Sequence, residues 1–450
     1  MAHSPDSPDA SAPGGAIGVI GRKRWARLLP IVFITYSLAY LDRSNFSVGV
    51  AGGMKEDLAI SSGVAALIGA AFFLGYFLFQ IPGAIYAERR SVKNLIFWSL
   101  ILWGALATVQ GLLHSTALLI AVRFLIGVVE AAVLPAMVIF LSHWFTKAER
   151  GRANTYLILG NPVTVLWLTA VSGYLIEATS WRGMFIIEGL PAILWAFVFR
   201  KLVQDRPAEA GWLGETEKTT LLHSLEHEQR GFEKKSGSYL QALRSRNVVL
   251  LSVQYFLWSL GIYGFVFWLP SIVKDATGQG IGATGLIAAI PYAFAVVAMI
   301  VNGRVSDKTG QRSRCVWPWL LVAGLAFYGS YVMHDTFWAA FSLLVVAGAC
   351  MYAPYGPYFA HIPELLPRDQ AAPSIALINS LGAVGGFAGS YLIGWLNGTT
   401  GSTDASFLLM AACLLVAAGL MFLVKAPGSG PAGHSAPACP STARAPKTLA

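Results

Sequence analysis

The chain has 450 residues, 55% of them hydrophobic and only 12% charged, with a mean hydropathy of +0.59. Water-soluble domains carry about a quarter charged residues, so this composition excludes a soluble catalytic domain and leaves long apolar stretches that must face something other than water. The net charge of +9 sits in short loops between apolar runs, which encodes orientation in a membrane and not a nucleic-acid surface.

In chain order, residues 1–21 are rich in Ser, Pro, Ala and Gly and are expected to be a disordered tail. The first apolar run, 28–51, is too long for a signal-peptide core and has no small-residue cleavage site. About 20 apolar residues cross a hydrocarbon core roughly 30 Å thick. Such runs recur at 28–51, 64–87, 95–113, 116–141, 154–178 and 183–203, giving a first six-helix bundle over 22–203. A polar linker follows at 204–246, with an amphipathic stretch from Glu215 to Leu225. Six more runs, 247–273, 281–303, 316–334, 337–360, 373–397 and 404–425, make a second bundle over 247–426, and 427–450 is again Pro/Ala/Ser-rich and expected to be disordered. The predicted fold is an all-α membrane protein of twelve transmembrane helices in two six-helix bundles.

Of 32 Lys and Arg, Lys55, Arg182 and Lys274 follow odd-numbered spans and Arg43 and Arg123 lie within spans; the other 27 fall on the opposite side. That bias predicts a cell inner-membrane protein with the linker and both termini cytoplasmic. Cys315, Cys350, Cys413 and Cys439 have no metal-like spacing and read as packing residues.

The halves echo each other. Gly83, Glu88, Arg89, Arg90 and Lys93 follow the second span, and Gly303, Asp307, Lys308, Gly310 and Arg312 follow the eighth: each a glycine, an acid and a basic cluster. Internal repeats of this kind mark transporters. The second copy, Gly-x-x-x-Asp-Lys-x-Gly-x-Arg, resembles the cytoplasmic-loop signature of the major facilitator superfamily over roughly residues 25–425. In the first copy Glu88 stands for the usual Asp and Ser91 for the later glycine. Tyr40-Leu-Asp42-Arg43-Ser44-Asn45, Gln80-Ile-Pro82-Gly83 and Trp181-Arg182 through Glu188-Gly189 resemble the anion:cation symporter family, and Met351 through Ala360 is similar to 2-ketogluconate carriers. The resemblance implies uptake of sugar acids, or of aromatic or dicarboxylic acids, with the acids of these motifs linked to protonation and the arginines to the substrate carboxylate.

The deep charges are Asp42 and Arg43 in span 1 and Arg123 and Glu130 in span 4. A mid-bilayer charge costs at least about 2.5–3.5 kcal/mol on insertion scales, so four of them require partners or a watery cavity. Arg123 and Glu130, two helical turns apart, share a face; Asp42 and Arg43 point about 100° apart. Two acids and two arginines cancel. A carboxylate in low dielectric takes up a proton more readily than one in water. Protonating Asp42 or Glu130 frees an arginine and leaves +1 for a substrate carboxylate to balance. Asp42 and Glu130 are therefore the expected proton carriers, and Arg43 and Arg123 the expected anion ligands, with fold-locking ion pairs as the alternative.

Further candidates to contact substrate are Tyr40, Tyr76, Asn161, Gln254, Asn379 and Tyr358, each of which also reads as a packing or interhelical hydrogen-bonding group. Glu188 is expected to pair with Arg182 at the outer interface. The loop acids and bases, Glu88 with Arg89 and Asp307 with Arg312, are expected to pin an outward-open state through inter-helix salt bridges. The second half has no deep charge to match the first, so a singly charged acid is expected to fit better than a phosphate. The expected partners are a small organic anion, the lipid bilayer and H+ as coupling ion, with no other cofactor, no metal, no nucleic acid and a monomeric state. A proton-antiport exporter, a uniporter and a transport-like sensor remain as alternatives; no HExxH, GxSxG, P-loop or dinucleotide signature points to an enzyme.

Overall fold

The computed structural model describes residues 14–230, 245–365 and 368–424. Its long elements are α1 (Gly14–Gly49), α2 (Ser62–Arg89), α3 (Val92–Gln110), α4 (Thr116–Glu130), α5 (Val133–Trp144), α6 (Lys147–Ala178), α7 (Trp181–Leu202), α8 (Glu215–Arg230), α9 (Arg246–Thr277), α10 (Ile281–Thr309), α11 (Trp317–Val332), α12 (Phe337–Tyr352), α13 (Tyr355–Leu365), α14 (Arg368–Thr400) and α15 (Asp404–Leu423). The starts carry recognisable caps. Ser61 Oγ accepts from Val64 N at 3.3 Å and Ser91 Oγ from Asn94 N at 3.0 Å, while the Glu149 carboxylate takes the Thr146 N–H at 3.1 Å.

Eleven stretches are long and apolar enough to cross a membrane, with α4–α5 and α12–α13 each counted as one. The twelfth is α1, 36 residues long, whose second half carries Asp42, Arg43, Ser44 and Asn45. Leu194, Phe197, Phe294, Val297, Trp338 and Phe422 are each more than half exposed on the helix surfaces. Apolar exposure on this scale marks a surface built for lipid.

Three details differ from the sequence reading. The first helix begins at Gly14, inside the segment 1–21 expected to lack structure. Its first turns follow Pro13 and contain Ala16, Ile17, Val19 and Ile20 without a proline, a local pattern that the tail's average composition hides. Residues 1–13 and the tail from 425 lie outside the described residues. The linker helix α8 runs to Arg230 and docks on the first bundle through buried Leu221 and Leu225. Trp212 before it stacks on Trp144 at 5.5 Å.

The third difference is that spans 4 and 10 are each broken, at matching places in the two halves. Span 4 breaks at Ala131–Ala132 and span 10 at Ala353–Pro354. Proline lacks the N–H that would satisfy the carbonyl four residues earlier. Pro135 therefore strips the carbonyl of Ala131, and Pro357 that of Ala353. Asn302 on α10 replaces the second missing donor: its Nδ2 donates to Ala353 O and to Cys315 O, both at 2.8 Å. The breaks follow directly on Glu130 and Tyr352.

α2 and α4 meet backbone to backbone. A Cβ on Gly75 would collide with the Phe124 carbonyl, and one on Gly127 with the Phe72 carbonyl. Small residues allow this approach, and it holds Arg123 and Glu130 against the interior. The two bundles touch at the end remote from the termini. There Lys274 Nζ donates to Ala51 O at 2.6 Å, Glu177 Oε1 accepts from Gly282 N at 2.8 Å, and Phe46 lies 5.7 Å from Phe267. Nearer the middle Ser380 Oγ donates to Gln80 Oε1 at 3.0 Å.

Candidate functional site

Consecutive residues on a helix diverge, so Asp42 and Arg43 of α1 face different partners. α4 presents both of those partners on one face. Arg43 Nε donates to Glu130 Oε2 at 3.1 Å, and Arg123 Nη1 lies 3.8 Å from Asp42 Oδ2 while donating to the Asp42 carbonyl at 3.1 Å. The two ion pairs cross between α1 and α4, and all four side chains are at most 7% exposed.

Aromatic rings line the arginines. The Arg43 guanidinium carbon is 4.6 Å from the Tyr76 ring centre, 5.2 Å from Phe72 and 5.8 Å from Tyr40. That of Arg123 is 4.6 Å from Phe46 and 5.4 Å from Phe72. Such contacts stabilise a cation away from water without neutralising it. Neither pair exhausts its groups. Among the described residues, both Asp42 oxygens, Arg43 Nη2, Arg123 Nε and Glu130 Oε1 are buried without a hydrogen-bond partner. An unmet buried polar atom costs about 1–3 kcal/mol; the unused arginine donors suit a carboxylate guest, and the unused carboxylate oxygens suit a proton.

The second bundle supplies the facing wall. Tyr40 lies among Tyr263, Tyr352 and Tyr355 of the second bundle. Tyr263 lies beside Arg43, as Tyr76 does. Asn161 is 7% exposed beside Tyr36, with Oδ1 unpartnered. Tyr40, Tyr76 and the four charges thus come together, with Asn161 nearby.

Gln254 and Tyr358 do not join them. The Gln254 amide is spent on packing: its Nε2 donates to Ala417 O of α15 at 3.0 Å. The Tyr358 hydroxyl donates to Leu251 O at 2.7 Å and its ring stacks on Tyr255 at 5.5 Å. Both tie the second bundle together. Asn379 is half-buried on α14, next to the Ser380 that reaches Gln80.

The expected Glu188–Arg182 pair is absent among the described residues. Arg182 Nη2 binds Asp57 Oδ2 at 2.8 Å and Arg182 Nη1 the Leu113 carbonyl at 2.5 Å. Glu188 is 6% exposed and points inward, accepting from Asn45 Nδ2 at 3.0 Å and from Ser172 Oγ at 2.6 Å. Six residues separate the two side chains on α7, well over a turn and a half, so they face different sides. The signal available in the sequence was this offset, together with Asn45 one turn beyond Asp42.

At the terminus end, Asp307 and Arg312 pair at 2.7 Å across the turn closing α10, with Arg312 also on Ser306 Oγ at 2.8 Å, so this bridge is local and not between helices. Gly310 ends the helix at φ +65°, a conformation that favours glycine. Space around Gly303 is open, whereas a Cβ on Gly83 would strike Ala132. Arg89 is exposed and the Glu88 side chain lies outside the described residues. Ser91 both caps α3 and donates to Asp205 Oδ2 at 2.5 Å, a role the glycine of the second copy has no side chain to play.

The family model of the Major Facilitator Superfamily matches residues 32–390 and again 272–447. A protein of Agrobacterium vitis named "Putative tartrate transporter" is 35% identical over 88% of this chain and 92% of its own length. The "Quinolone resistance transporter" of Acinetobacter baumannii is 27% identical over 89% and 93%. Among solved structures, a bacterial homologue of the human lysosomal transporter Spinster superposes with a TM-score of 0.70 at 20% identity, covering 89% of this chain and 97% of that one.

Proposed function

The chain belongs to the Major Facilitator Superfamily, and from that premise we propose that it imports organic carboxylates in symport with protons by alternating access. It is a multi-pass membrane transporter and not an enzyme. The observation that carries the proposal is the crossed pairing of Asp42–Arg123 and Glu130–Arg43, buried and with donors to spare.

The physics follows from charge balance. With both acids ionised the four groups sum to zero, and an incoming anion must compete with an internal carboxylate for its arginine. Arginine stays protonated throughout and binds carboxylates in a planar fork. Once a proton neutralises Glu130 or Asp42, one guanidinium has no counter-ion and the site attracts one negative charge. Anion and proton therefore enter together, each raising the affinity for the other. The tyrosine hydroxyls around Tyr40 can accept or donate to hydroxyl groups of a sugar acid. The relative named for tartrate, a hydroxylated dicarboxylate, agrees with that chemistry. The substrate range we propose is sugar acids, with a singly charged acid matching one freed arginine and a dicarboxylate requiring both.

The excess of Lys and Arg at the end bearing the termini supports a cytoplasmic position for that end in the cell inner membrane. On that orientation the contacts of Lys274, Glu177 and Phe267 shut the outer face. The protein needs no cofactor besides H+ in this scheme, and one chain holds the whole site.

A second reading, drug export by proton antiport, draws on the relative named for quinolone resistance. Both are tested by loading proteoliposomes with labelled tartrate or hexuronate and imposing a pH gradient. Symport predicts accumulation on the alkaline side. Accumulation on the acidic side, or no response to the gradient, contradicts it.

A further inference from the structure

Glu188 is a buried acid that the four-charge scheme does not use. It sits seven residues from the start of α7 and Asp42 seven from the end of α1, so both lie about 10 Å from the far ends of their helices. Its hydrogen bonds come from neutral donors, Asn45 Nδ2 and Ser172 Oγ. The ionised group acting on it is Asp42. α6 contributes the Ser172 hydroxyl, α3 contributes Thr108 beside Gly189, Arg123 of α4 faces Asp42, and Arg182 of its own helix faces Asp57. Counting Glu188, the deep groups are three acids against two arginines, a surplus of one negative charge.

An unpaired carboxylate at this depth is costly, and a single proton removes the surplus. Asn45 stands between the two acids that compete for it. Its Nδ2 faces Glu188, its Oδ1 has no partner among the described residues, and neither do the oxygens of Asp42 one turn away. A half-turn of the amide exchanges donor and acceptor, so the N–H2 can serve whichever acid is ionised and the carbonyl whichever is protonated.

We propose that Asp42 and Glu188 form a dyad that shares one proton, with the Asn45 amide turning to follow it. When Glu188 gives up its proton and Asp42 takes it, the dyad keeps a charge of −1 while the negative charge moves away from Arg123; a proton from solution then refills Glu188, so one proton enters with each anion. Glu188 thereby positions the proton that releases Arg123 to the substrate. The inference rests on the proton-symport reading above and adds a third acid to it.

The test is the pH dependence of substrate binding to the purified full-length protein, read by thermal stabilisation with tartrate. Glu188→Gln keeps the size and both hydrogen-bond partners but removes the competing charge. Like charges favour protonation of a neighbour, so the binding midpoint is expected to move to lower pH by about one unit. An unchanged midpoint in Glu188→Gln would overturn the dyad and leave Glu188 a helix tie. Should that variant not fold, Asn45→Ser carries the test. Removing the amide leaves both carboxylates without its N–H, and the midpoint is expected to rise; no movement overturns the proposal. If the wild type itself binds with no pH dependence, the symport reading fails first.

Discussion

Arg43 on α1 and Glu130 on α4 are joined by a single hydrogen bond, Nε to Oε2 at 3.1 Å, leaving Arg43 Nη2 and Glu130 Oε1 unpaired among the described residues. The unpaired Arg43 Nη2 leaves half of the guanidinium fork for a second carboxylate. In Glu130→Gln the arginine is freed permanently and no proton is needed. Exchange of substrate across proteoliposomes is expected to continue near the wild-type rate, while accumulation driven by a pH gradient is lost. Retained accumulation would remove Glu130 from the coupling path.

Arg123 contributes the other anion site. Arg123→Ala leaves Asp42 as a buried unpaired acid, a change that costs about 3–5 kcal/mol in comparable pairs. Substrate binding is expected to fall at least a hundredfold. Arg123→Lys keeps the charge but not the fork and is expected to recover only part of it. Wild-type binding by Arg123→Ala would refute the assignment.

The broken span 10 depends on Asn302. Its amide supplies donors to Ala353 O and Cys315 O. Asn302→Leu strands both carbonyls and is expected to cost about 1–3 kcal/mol for each buried group left unmet. The check is a lower unfolding midpoint in detergent; an unchanged midpoint would mean that Pro357 is accommodated some other way.

Lys274 fastens α9 to the far end of the first bundle through Ala51 O. Lys274→Met removes a charge-assisted bond worth about 1.5–3 kcal/mol. The protein is expected to populate the state open at that end several-fold more. A cysteine placed at buried Ser271 then reacts faster with a membrane-impermeant thiol reagent. Equal rates would show that the aromatic contacts of Phe46 and Phe267 suffice.

Twelve spans and two halves were legible because apolar length is a direct demand of the bilayer and does not depend on tertiary detail. The four deep charges were legible for the same reason, since each stands out against an apolar background, and seven-residue spacing placed Arg123 with Glu130. Which acid pairs with which arginine was not, because the pairing depends on how α1 rotates against α4. Glu188 was misread from its neighbours in sequence: Trp181 and Arg182 sit at the interface, while a turn and a half later the helix faces Asn45 and Ser172. Gln254 and Tyr358 look like binding groups in a list of polar intramembrane residues. Their actual partners, Ala417 O and Leu251 O, are backbone atoms that no residue pattern advertises. The breaks in spans 4 and 10 were not legible: Pro135 and Pro357 follow them, but Pro82, Pro162, Pro191, Pro270 and Pro291 lie inside unbroken helices.

The central claim is that proton and anion binding are one event at Asp42, Arg43, Arg123 and Glu130. Calorimetric titration of the purified protein with tartrate, repeated in buffers of different ionisation enthalpy, counts protons taken up per anion bound. The account predicts net uptake in the wild type at neutral pH, reduced in Glu130→Gln. Substrate that binds with no proton uptake in the wild type would contradict it.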